Sequence, residues 1–381
     1  MDQFSDIRPY LDHEIRPVLD GLIENSEFID SIARFNYPRL TRMFPPLIHA
    51  LAKKRLVAQL KNVNSVATMQ DIIAVYMDKM IHKTTTQLTQ SGIENLRPER
   101  NYLFISNHRD IAMDPAFINY MLYHNGFETL QIAIGDNLLK KPFVTDLMRL
   151  NKSFIVRRSL KGRELLKALD HLSRYIHFCI ENDQNVWIAQ REGRAKNGVD
   201  RTDPALIKML ARGKKDILLG DSIASLHIVP VAISYEYDAC DGLKAEELFQ
   251  VATTGNFVKT DASDIQSIVT GITGFKGHVH IAFGTEFNAP LSDDPDVIAK
   301  LIDQQIARLY QLQDNSYLAL QMLRDQKLEE IPELDREAWN HSISASSRET
   351  FQNHITKIDQ RLHKQLLAMY ANPVITRYRL D

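Results

Sequence analysis

A histidine and two aspartates follow a short apolar run near the first third of the sequence. The run is NYLFI, and SNHRDIAMDP at 106–115 then supplies His108, Asp110 and Asp114. Histidine is the commonest general base near neutral pH, and a neighbouring carboxylate fixes its tautomer and stabilises its protonated form. These residue types therefore favour a base-and-carboxylate pair whose natural substrate is a hydroxyl group.

The same residues also have a structural interpretation. Asp114 precedes Pro115, and this dipeptide is typical of a helix start, where aspartate caps the first turn and proline takes the first helical position. His108 by itself also fits a surface or hinge histidine. A helix would not bring His108 and Asp114 face to face at their spacing, so a catalytic pair requires a turn. Asp110 is the alternative carboxylate.

Two later stretches carry cations after apolar runs. SFIVRR ends in Arg157 and Arg158, and two guanidinium groups at a strand end can hold a phosphate by forked hydrogen bonds. Plain surface charge explains this pair equally well. VWIAQREGRAKNG follows a similar plan, and Gly193 would let its backbone turn tightly and approach a ligand. A solvated turn is the alternative here, because AKNG is an ordinary turn signal.

These polar residues need elements that bring them to one place. From about residue 100 the sequence alternates amphipathic helical stretches with the β-rich runs NYLFIS, QIAIG, SFIVRR, NVWIAQ, LHIVPVAISYEY and HVHIAFG. The alternation predicts an α/β fold with a mixed, mostly parallel sheet flanked by helices. Parallel strands with long crossovers place their carboxyl ends at one edge, where ligand sites tend to lie.

Both ends of the chain show helical periodicity. The N-terminal part has no strand-like alternation of useful length, and Asp294 with Pro295 is typical of a helix start near the C-terminal part. The apolar residues of a later predicted amphipathic helix are Phe351, Ile355, Ile358, Leu362 and Leu366. The sequence thus predicts a helical domain over 1–95, an α/β domain over 96–290 and a helical extension over 291–381.

The order of these blocks resembles the glycerolipid acyltransferase family. Its members carry a histidine and an aspartate with four residues between them, often as NH....DP, whereas His108 and Asp114 have five. EGR at 192–194 resembles the family's Glu-Gly-Arg region, although Arg191 replaces the usual preceding proline. IVPVAISY resembles a later Val-Pro-Val strand. The resemblance covers roughly 96–240 and looks closest to the soluble plastid-type glycerol-3-phosphate acyltransferases.

The resemblance implies an O-acyltransferase. Such an enzyme moves a fatty acyl group from a thioester of coenzyme A or acyl carrier protein to a hydroxyl of glycerol 3-phosphate or a lysophospholipid. Asp114, or Asp110 in its place, would align His108, which takes the hydroxyl proton. Glu192 and Gly193 would shape the loop. The cations implied to hold the acceptor phosphate are Arg157, Arg158, Arg194 and Lys196.

The implied reaction needs no covalent intermediate and no cofactor. The lack of a G-x-S-x-G elbow agrees with direct attack by the acceptor, and no spacing suggests a closed metal site. One alternative keeps the chemistry and uses another lyso-lipid acceptor. A second alternative is a catalytically silent lipid-binding scaffold of the same fold, which the extra residue between His108 and Asp114 and the missing proline leave open.

Composition bounds the setting. A formal net charge of -2 argues against a general nucleic-acid binder, and the two cysteines suit core packing in a reducing compartment. The sequence shows no signal-peptide pattern and no apolar run of the roughly 20 residues that a membrane-spanning helix needs. We therefore expect a cytoplasmic protein.

Residues 34–61 form a basic segment without Asp or Glu. Aromatic and apolar side chains interleave with its cations, which are Arg34, Arg39, Arg42, Lys53, Lys54, Arg55 and Lys61. Such a segment suits the surface of an anionic bilayer, and it also suits docking of an acidic carrier protein. A solvated basic helix packed on the core is the plain alternative. We expect a peripheral protein at the inner face of the membrane.

Overall fold

The computed structural model describes residues 2–379 of the 381-residue chain, without the side chains of residues 261 and 262. The chain divides into two compact units. The first comprises the residues up to 76 together with 130–172, and the second comprises 77–129 and the residues from 173 onward. The domain boundaries expected near residues 95 and 290 follow the pattern of elements along the sequence, and they stay a prediction.

Helices dominate both ends of the described chain. In chain order they are α1 (Asp12–Glu24), α2 (Ser26–Asn36), α3 (Pro38–Met43), α4 (Pro45–Leu60), α5 (Val66–Thr84), α6 (Met113–His124), α7 (Pro142–Leu150), α8 (Gly162–Glu181), α9 (Pro204–Ala211), α10 (Leu219–Ala224), α11 (Asp241–Thr254), α12 (Asp261–Thr273), α13 (Pro295–Leu309), α14 (Asp314–Asp325), α15 (Ala345–Ile355) and α16 (His363–Tyr378). The helical N-terminal and C-terminal sections are therefore confirmed.

The β-rich runs of the sequence form strands, as predicted. The strands are β1 (Thr85–Ser91), β2 (Leu103–Ser106), β3 (Gln131–Gly135), β4 (Ser153–Val156), β5 (Val186–Ala189), β6 (Ile228–Tyr235) and β7 (Gly277–Phe283). Strands β2 to β7 coincide with the six predicted runs, and their pairing is mostly parallel, so the predicted α/β class is confirmed.

The expectation of no strand in the N-terminal part is wrong. Strand β1 has the sequence TTQLTQS and pairs in parallel with β7, with Leu88 opposite Val279. Its side chains are exposed or half-buried rather than buried, so an apolar run is missing. The β-branched threonines suit a strand, but a polar strand at the end of a sheet lacks the apolar pattern that sequence analysis depends on.

In the sheet of the second unit, the segments that follow β2 and β5 begin at the same edge. Its strand order is β1-β7-β6-β2-β5; only β6 and β7 run antiparallel among these neighbours. All eight residues of β6 are buried, which fits an interior strand rather than an edge strand. Ser106 at the end of β2 lies opposite Ala189 at the end of β5. The segments that follow β2 and β5 therefore start side by side.

The first unit contains the parallel strands β3 and β4 and its own helical core. Ile155 donates a backbone hydrogen bond to Ile7, which ties the N-terminal segment to β4. The core joins α1, α2, α4 and α7 through Ile15, Leu19, Leu22, Phe28, Leu60, Phe143 and Leu150. A smaller cluster between α2 and α4 consists of Ile29, Ala33, Ile48 and Ala52.

The C-terminal helices match the sequence in one place and depart from it in another. Helix α13 begins as predicted, because the Asp294 carboxylate accepts a hydrogen bond from the Asp296 N–H at 2.9 Å and Pro295 is the first helical residue. The single later helix predicted over 351–366 is wrong. The chain leaves α15 after Ile355 and enters α16 at His363, and the same apolar residues pack from both helices into one core.

Within residues 2–379, no helix combines the length and the apolar character that crossing a membrane requires.

Candidate active site

His108 and Asp114 form a hydrogen-bonded pair. The histidine loop, residues 107–112, connects β2 to α6 and turns so that His108 Nδ1 lies 2.8 Å from Asp114 Oδ2. The His108 side chain is 14% exposed and Asp114 is fully buried. The required turn is therefore present, and it accommodates all five residues between the two side chains.

Asp114 is held by four donors. Its Oδ2 accepts from His108 and from the backbone N–H groups of Arg109 at 2.5 Å and Asp110 at 2.9 Å, and its Oδ1 accepts from the Tyr235 hydroxyl at 2.7 Å. A proton on His108 Nδ1 can then donate to the carboxylate, which leaves Nε2 as the basic nitrogen. Burial and the Asp114 charge raise the pKa of Tyr235 well above its usual value, so this hydroxyl stays a donor.

Asp110 has a different task. Its Oδ1 accepts from the backbone N–H groups of Ala112 at 3.0 Å and Met113 at 2.9 Å, so Asp110 caps the start of α6. Burial, with a contribution from the Asp114 charge, raises the pKa of Asp110. Asp114, the cap that the sequence offered as a structural alternative, lies inside the helix and accepts from the loop before it.

Rigid neighbours hold the histidine loop. The edge of the Trp187 ring faces the His108 ring, with 5.8 Å between centroids, and the Trp187 indole N–H donates to Ser106 Oγ at 3.0 Å. The Asn107 side chain donates to the Ile233 carbonyl at 2.9 Å and accepts from the Ile233 N–H at 2.8 Å. The imidazole is thus positioned by β2, β5 and β6 before any substrate arrives.

The glycine loop, residues 190–203, connects β5 to α9 and lies against the histidine loop. The Ala195 N–H donates to the His108 carbonyl at 2.7 Å. Gly193 has a φ of +75°, a left-handed conformation that L side chains rarely adopt, so the predicted tight turn is present. Glu192 and Gly193 are both exposed at the tip of this turn. The Glu-Gly-Arg region and His108 are therefore neighbours, as the family resemblance implies.

The cations of the glycine loop differ in how far they are already paired. Arg194 Nη2 donates to Ser267 Oγ at 3.3 Å, and its Nη1 is buried with no partner in the described part of the chain. Lys196 instead forms an ion pair with Glu247. Burial lowers the pKa of Lys196, and Glu247 opposes this effect. Arg194 therefore has spare hydrogen-bonding capacity, whereas Lys196 must exchange a partner before it binds a ligand.

Arg157 and Arg158 lie in the first unit, directly after β4. Arg157 Nη2 pairs with Asp6 Oδ2 at 2.9 Å, and the Arg158 backbone N–H donates to Asp136 Oδ1 at 3.1 Å. Both side chains are exposed. Their placement at a strand end is as the sequence indicates, and their role in phosphate binding stays a prediction.

Sequence reasoning missed three residues that shape this site. Tyr235 holds Asp114, Trp187 packs on His108, and Arg109 places its buried guanidinium against the glycine loop. Tyr235 and Trp187 lie in apolar strands, where an aromatic residue reads as core packing. Arg109 offered one signal, a cation directly between His108 and Asp110.

The described residues offer little for nucleophilic or metal chemistry at this site. Cys179 and Cys240 are buried free thiols, and burial raises the pKa of Cys240 to about 12. That thiol is protonated at neutral pH and is a poor nucleophile. Within residues 2–379, no group of three or more His, Cys, Asp or Glu side chains is placed to hold a metal ion.

Comparisons with known proteins identify a similar family and similar chains. The family model described as Acyltransferase matches residues 87–234, a span that contains both loops and strands β2 to β6. Among solved structures, the 1-acyl-sn-glycerophosphate (LPA) acyltransferase PlsC from Thermotoga maritima has a TM-score of 0.37 and 14% identity, over 63% of this chain and 78% of that one.

Curated glycerol-3-phosphate acyltransferases are similar to part of this chain. The identity is 29% over 38% of this chain for Pseudomonas syringae pv. tomato, 25% over 56% for Pseudomonas putida and 32% over 35% for Alteromonas mediterranea. The matched parts cover 17%, 23% and 16% of those proteins' own lengths. Residues 87–234 therefore match the acyltransferase family model, and the chain is similar to a part of these glycerol-3-phosphate acyltransferases.

Proposed function

We propose that this chain transfers a fatty acyl group from an acyl thioester to a hydroxyl of a phosphorylated glycerol or a lysophospholipid. The observation that supports it most is the hydrogen bond of 2.8 Å between His108 Nδ1 and the buried Asp114 carboxylate, beside a loop with unpaired guanidinium donors. A base fixed in this way suits removal of a proton from a hydroxyl group.

The chemistry is a direct displacement. His108 Nε2 takes the proton of the acceptor hydroxyl, and the hydroxyl oxygen attacks the thioester carbonyl carbon. The new C–O bond forms, the C–S bond breaks, and the imidazolium returns the proton to the leaving thiolate. The products are an ester and a free thiol, so no further reactant is needed and no cofactor takes part. The Asp114 carboxylate stabilises the imidazolium between the two proton transfers.

Negative charge develops on the carbonyl oxygen during the attack and needs donors. Among the described residues, the backbone N–H groups of Gly193 and Arg194 donate to no backbone carbonyl. They directly precede Ala195, which is tied to the His108 carbonyl. We assign them to the developing oxyanion, because backbone donors fixed in place act without reorganisation during the reaction.

The acceptor is recognised through its phosphate. Arg194 is the first candidate, because its Nη1 keeps an unpaired donor, and Lys196 of the same loop is the second. Guanidinium forks match the geometry of a phosphate group. Coenzyme A and acyl carrier protein are both suitable carriers of the acyl thioester.

An acyl-transfer assay tests this function. Purified full-length chain is given radiolabelled acyl-CoA or acyl carrier protein, and glycerol 3-phosphate, lysophospholipids or unphosphorylated glycerol as acceptor. We expect transfer to a phosphorylated acceptor and little to glycerol. Arg194→Ala should raise the KM of the phosphorylated acceptor roughly tenfold, the loss of about one charge-assisted hydrogen bond, with little change in the KM of the donor. Equal changes in both KM values would contradict a phosphate role for Arg194.

The chain also carries a surface that suits a lipid interface. Four apolar side chains at the α3–α4 turn form what we term the apolar tip: Leu40, Met43, Phe44 and Leu47. They are 46–67% exposed, whereas Ile48 and Ala52 of the same segment pack inward. The basic segment 34–61 is therefore divided into a packed face and an exposed tip.

We propose an anionic bilayer as the occupant of the tip, because the charge around it is positive. Arg39 and Arg42 flank the tip and are exposed, and neither has a carboxylate partner within residues 2–379. Basic side chains around an apolar wedge give both attraction to anionic lipid and insertion at the headgroup boundary. We place the enzyme at the inner face of the membrane, where its cytoplasmic donors and lipid product meet.

Vesicle flotation tests the apolar tip. Wild-type chain should float with vesicles that contain anionic phospholipid and less with purely zwitterionic ones, and salt should weaken the difference. Met43→Ser/Phe44→Ser/Leu47→Ser should stay at the bottom of the gradient. The matched control is Val258→Ser/Ile265→Ser, which removes two equally exposed apolar side chains elsewhere. Flotation of the tip variant would show that the tip does not bind lipid. If wild type forms dimers and the tip variant does not, the tip is a contact between two copies of the chain.

A further inference from the structure

We propose that Arg109 is a positioning residue that clamps the glycine loop to the histidine loop and so sets where Arg194 stands relative to His108. The kinetic part of this inference rests on the proposed acyl transfer. The structural part does not, because the clamp is a set of contacts within the second unit and can be tested without any substrate.

The side chain of Arg109 is committed to the glycine loop. It is 4% exposed, and a buried guanidinium requires an ionic partner and satisfied hydrogen bonds. Its Nη2 lies 2.6 Å from Asp200 Oδ2 and 3.1 Å from the Gly198 carbonyl, and its Nη1 lies 3.2 Å from the Ala195 carbonyl. Its Cζ lies 5.4 Å from the centre of the Tyr310 ring. One side chain therefore holds three points of the loop.

The backbone of Arg109 is committed to the catalytic pair. Its N–H donates to Asp114 Oδ2 at 2.5 Å, the oxygen that also bonds His108. Its carbonyl accepts from the Nζ of Lys244 at 2.6 Å, and Lys244 is itself buried and paired with Asp238. Displacement of Arg109 would therefore move the carboxylate that aligns the imidazole as well as the glycine loop.

The glycine loop has other backbone contacts, such as Ala195 with His108 and Thr202 with Asp303, but many of its buried side-chain polar atoms are unpaired. Nine buried side-chain polar atoms lack a hydrogen-bond partner within the described chain, and seven of them belong to Arg109, Gln190, Arg191, Arg194, Asp200 and Thr202. Buried polar groups are normally paired, so this concentration marks a network that is incomplete without water or ligand. Arg109 then adds three contacts to a loop whose own side chains are only partly paired.

A lysine cannot replace this arginine. The guanidinium presents several donors in a rigid plane, whereas an ammonium group is a point charge on a flexible stem. Arg109→Lys keeps the charge opposite Asp200 and loses the reach to both carbonyls. Arg100→Lys is the matched control, because Arg100 pairs with Glu286 and His227 of the same unit and contacts neither loop.

Hydrogen exchange on the full chain tests the clamp directly. In Arg109→Lys, peptides covering 106–114 and 190–203 should both exchange at least several-fold faster, and the Ala195 amide should lose protection. Exchange elsewhere and the thermal unfolding midpoint should stay close to those of Arg100→Lys. Unchanged protection of the glycine loop in Arg109→Lys would overturn the clamp, whether or not wild-type chain transfers acyl groups.

A double-mutant cycle separates positioning from general structural support. A misplaced reacting group can cost roughly 10²-fold in rate, so Arg109→Lys should lower kcat by up to that amount and raise the acceptor KM. In an Arg194→Ala background the same substitution should raise the acceptor KM much less, because the group that Arg109 positions is already gone. Additive effects on that KM would refute positioning of Arg194. If wild-type chain is inactive with every acceptor, the proposed function fails, and the exchange result alone decides the clamp.

Discussion

Among its described residues, the second unit contains two His–Asp–Tyr arrangements with similar hydrogen-bond distances. In the first pair, for which we propose catalysis, Asp114 accepts from His108 at 2.8 Å and from Tyr235 at 2.7 Å. In what we term the second pair, the carboxylate of Asp241 accepts from His354 Nε2 at 2.6 Å and from the Tyr370 hydroxyl at 2.7 Å. An aromatic ring faces each imidazole edge-on, at 5.8 Å for Trp187 and at 5.1 Å for Tyr237.

The surroundings of the two pairs differ. Asp114 also accepts two N–H groups of the histidine loop, and its histidine stands beside a loop with unpaired cations. Asp241 joins the start of α11 to α15 and α16, and its histidine lies at a cavity of about 480 Å³ that Phe275 and Lys357 also line. The acyltransferase family match includes the first pair and ends before the second.

A short His–Asp distance therefore does not identify a catalytic base. The first pair is bonded through Nδ1, joins neighbouring residues of the histidine loop and α6, and lies beside the glycine loop. The second pair is bonded through Nε2 and links residues 113 positions apart, which is typical of a side-chain contact that fastens separate helices. We interpret the second pair as a structural fastening of the C-terminal helices, and the following substitutions test that difference.

Replacing the two histidines should give the largest contrast. His108→Ala removes the general base, so kcat should fall by about 10²- to 10⁴-fold while the unfolding midpoint changes little. His354→Ala should leave kcat close to that of wild type and lower the free energy of unfolding by about 1–2 kcal/mol, because it removes one buried hydrogen-bond partner of Asp241. Acyl-transfer rates and urea unfolding measure both effects.

Either of two results would break this contrast. Normal turnover by His108→Ala would refute the base assignment. Loss of turnover in a well-folded His354→Ala would make the second pair catalytic or substrate-binding. Circular dichroism of both variants provides the check on folding.

Replacing Asp110 of the histidine loop and Asp114 of α6 should give the next largest contrast. Asp114→Asn keeps the size of the side chain and loses the charge opposite the imidazolium, so kcat should fall roughly 10²-fold. Asp110→Ala removes the cap of α6 and should lower the free energy of unfolding by about 1 kcal/mol, with kcat changed only several-fold. The reverse order of the two kcat values would assign the aligning role to Asp110.

Replacing Tyr235 or Tyr370 should have a smaller effect, mainly on the free energy of unfolding. Tyr235→Phe and Tyr370→Phe each remove a buried hydrogen bond to a carboxylate, at a cost of about 1–3 kcal/mol in the free energy of unfolding. Only Tyr235→Phe should also lower kcat, and less than Asp114→Asn does. Equal kcat values in the two variants would show that the Tyr235 bond does not contribute to aligning His108.

The sequence indicated those features whose physical cause is local. The β-branched and aromatic runs became β2 to β7 because a buried strand needs apolar side chains, and Asp294 with Pro295 began α13 because capping involves adjacent residues. Strand β1 was not predicted because its residues are mostly polar. The break between α15 and α16 was not predicted because the apolar spacing continues through it.

The same limit applies to the site. Residue types and block order pointed to His108 and to the glycine loop, but spacing alone did not decide between Asp110 and Asp114. That choice depends on the backbone turn of the histidine loop. Tyr235 and Arg109 act on groups 121 and 91 positions away in the sequence, and no local pattern reports such contacts.

The smallest expected effect concerns Lys276, whose pKa depends on a carboxylate beside each of the two pairs. Its side chain is buried and its Nζ donates to the Gly274 carbonyl at 2.7 Å. Burial lowers the pKa of Lys276 to about 8, while Asp110 beside the catalytic pair, the Cys240 thiol and Asp238 beside the second pair oppose that shift. The native chain therefore releases this proton near pH 8, and the unfolded chain holds it to the ordinary value of 10.5.

Stability should accordingly rise with pH above about 8, because between the two pKa values the unfolded chain binds more protons. Urea unfolding from neutral pH upward should show this rise in wild type, and Lys276→Met should remove it. Asp110→Asn should start the rise at lower pH than Asp238→Asn does, since Asp238 is already neutralised by Lys244. If the rise instead starts at lower pH in Asp238→Asn, Asp238 beside the second pair has more influence on the pKa of Lys276 than Asp110 has.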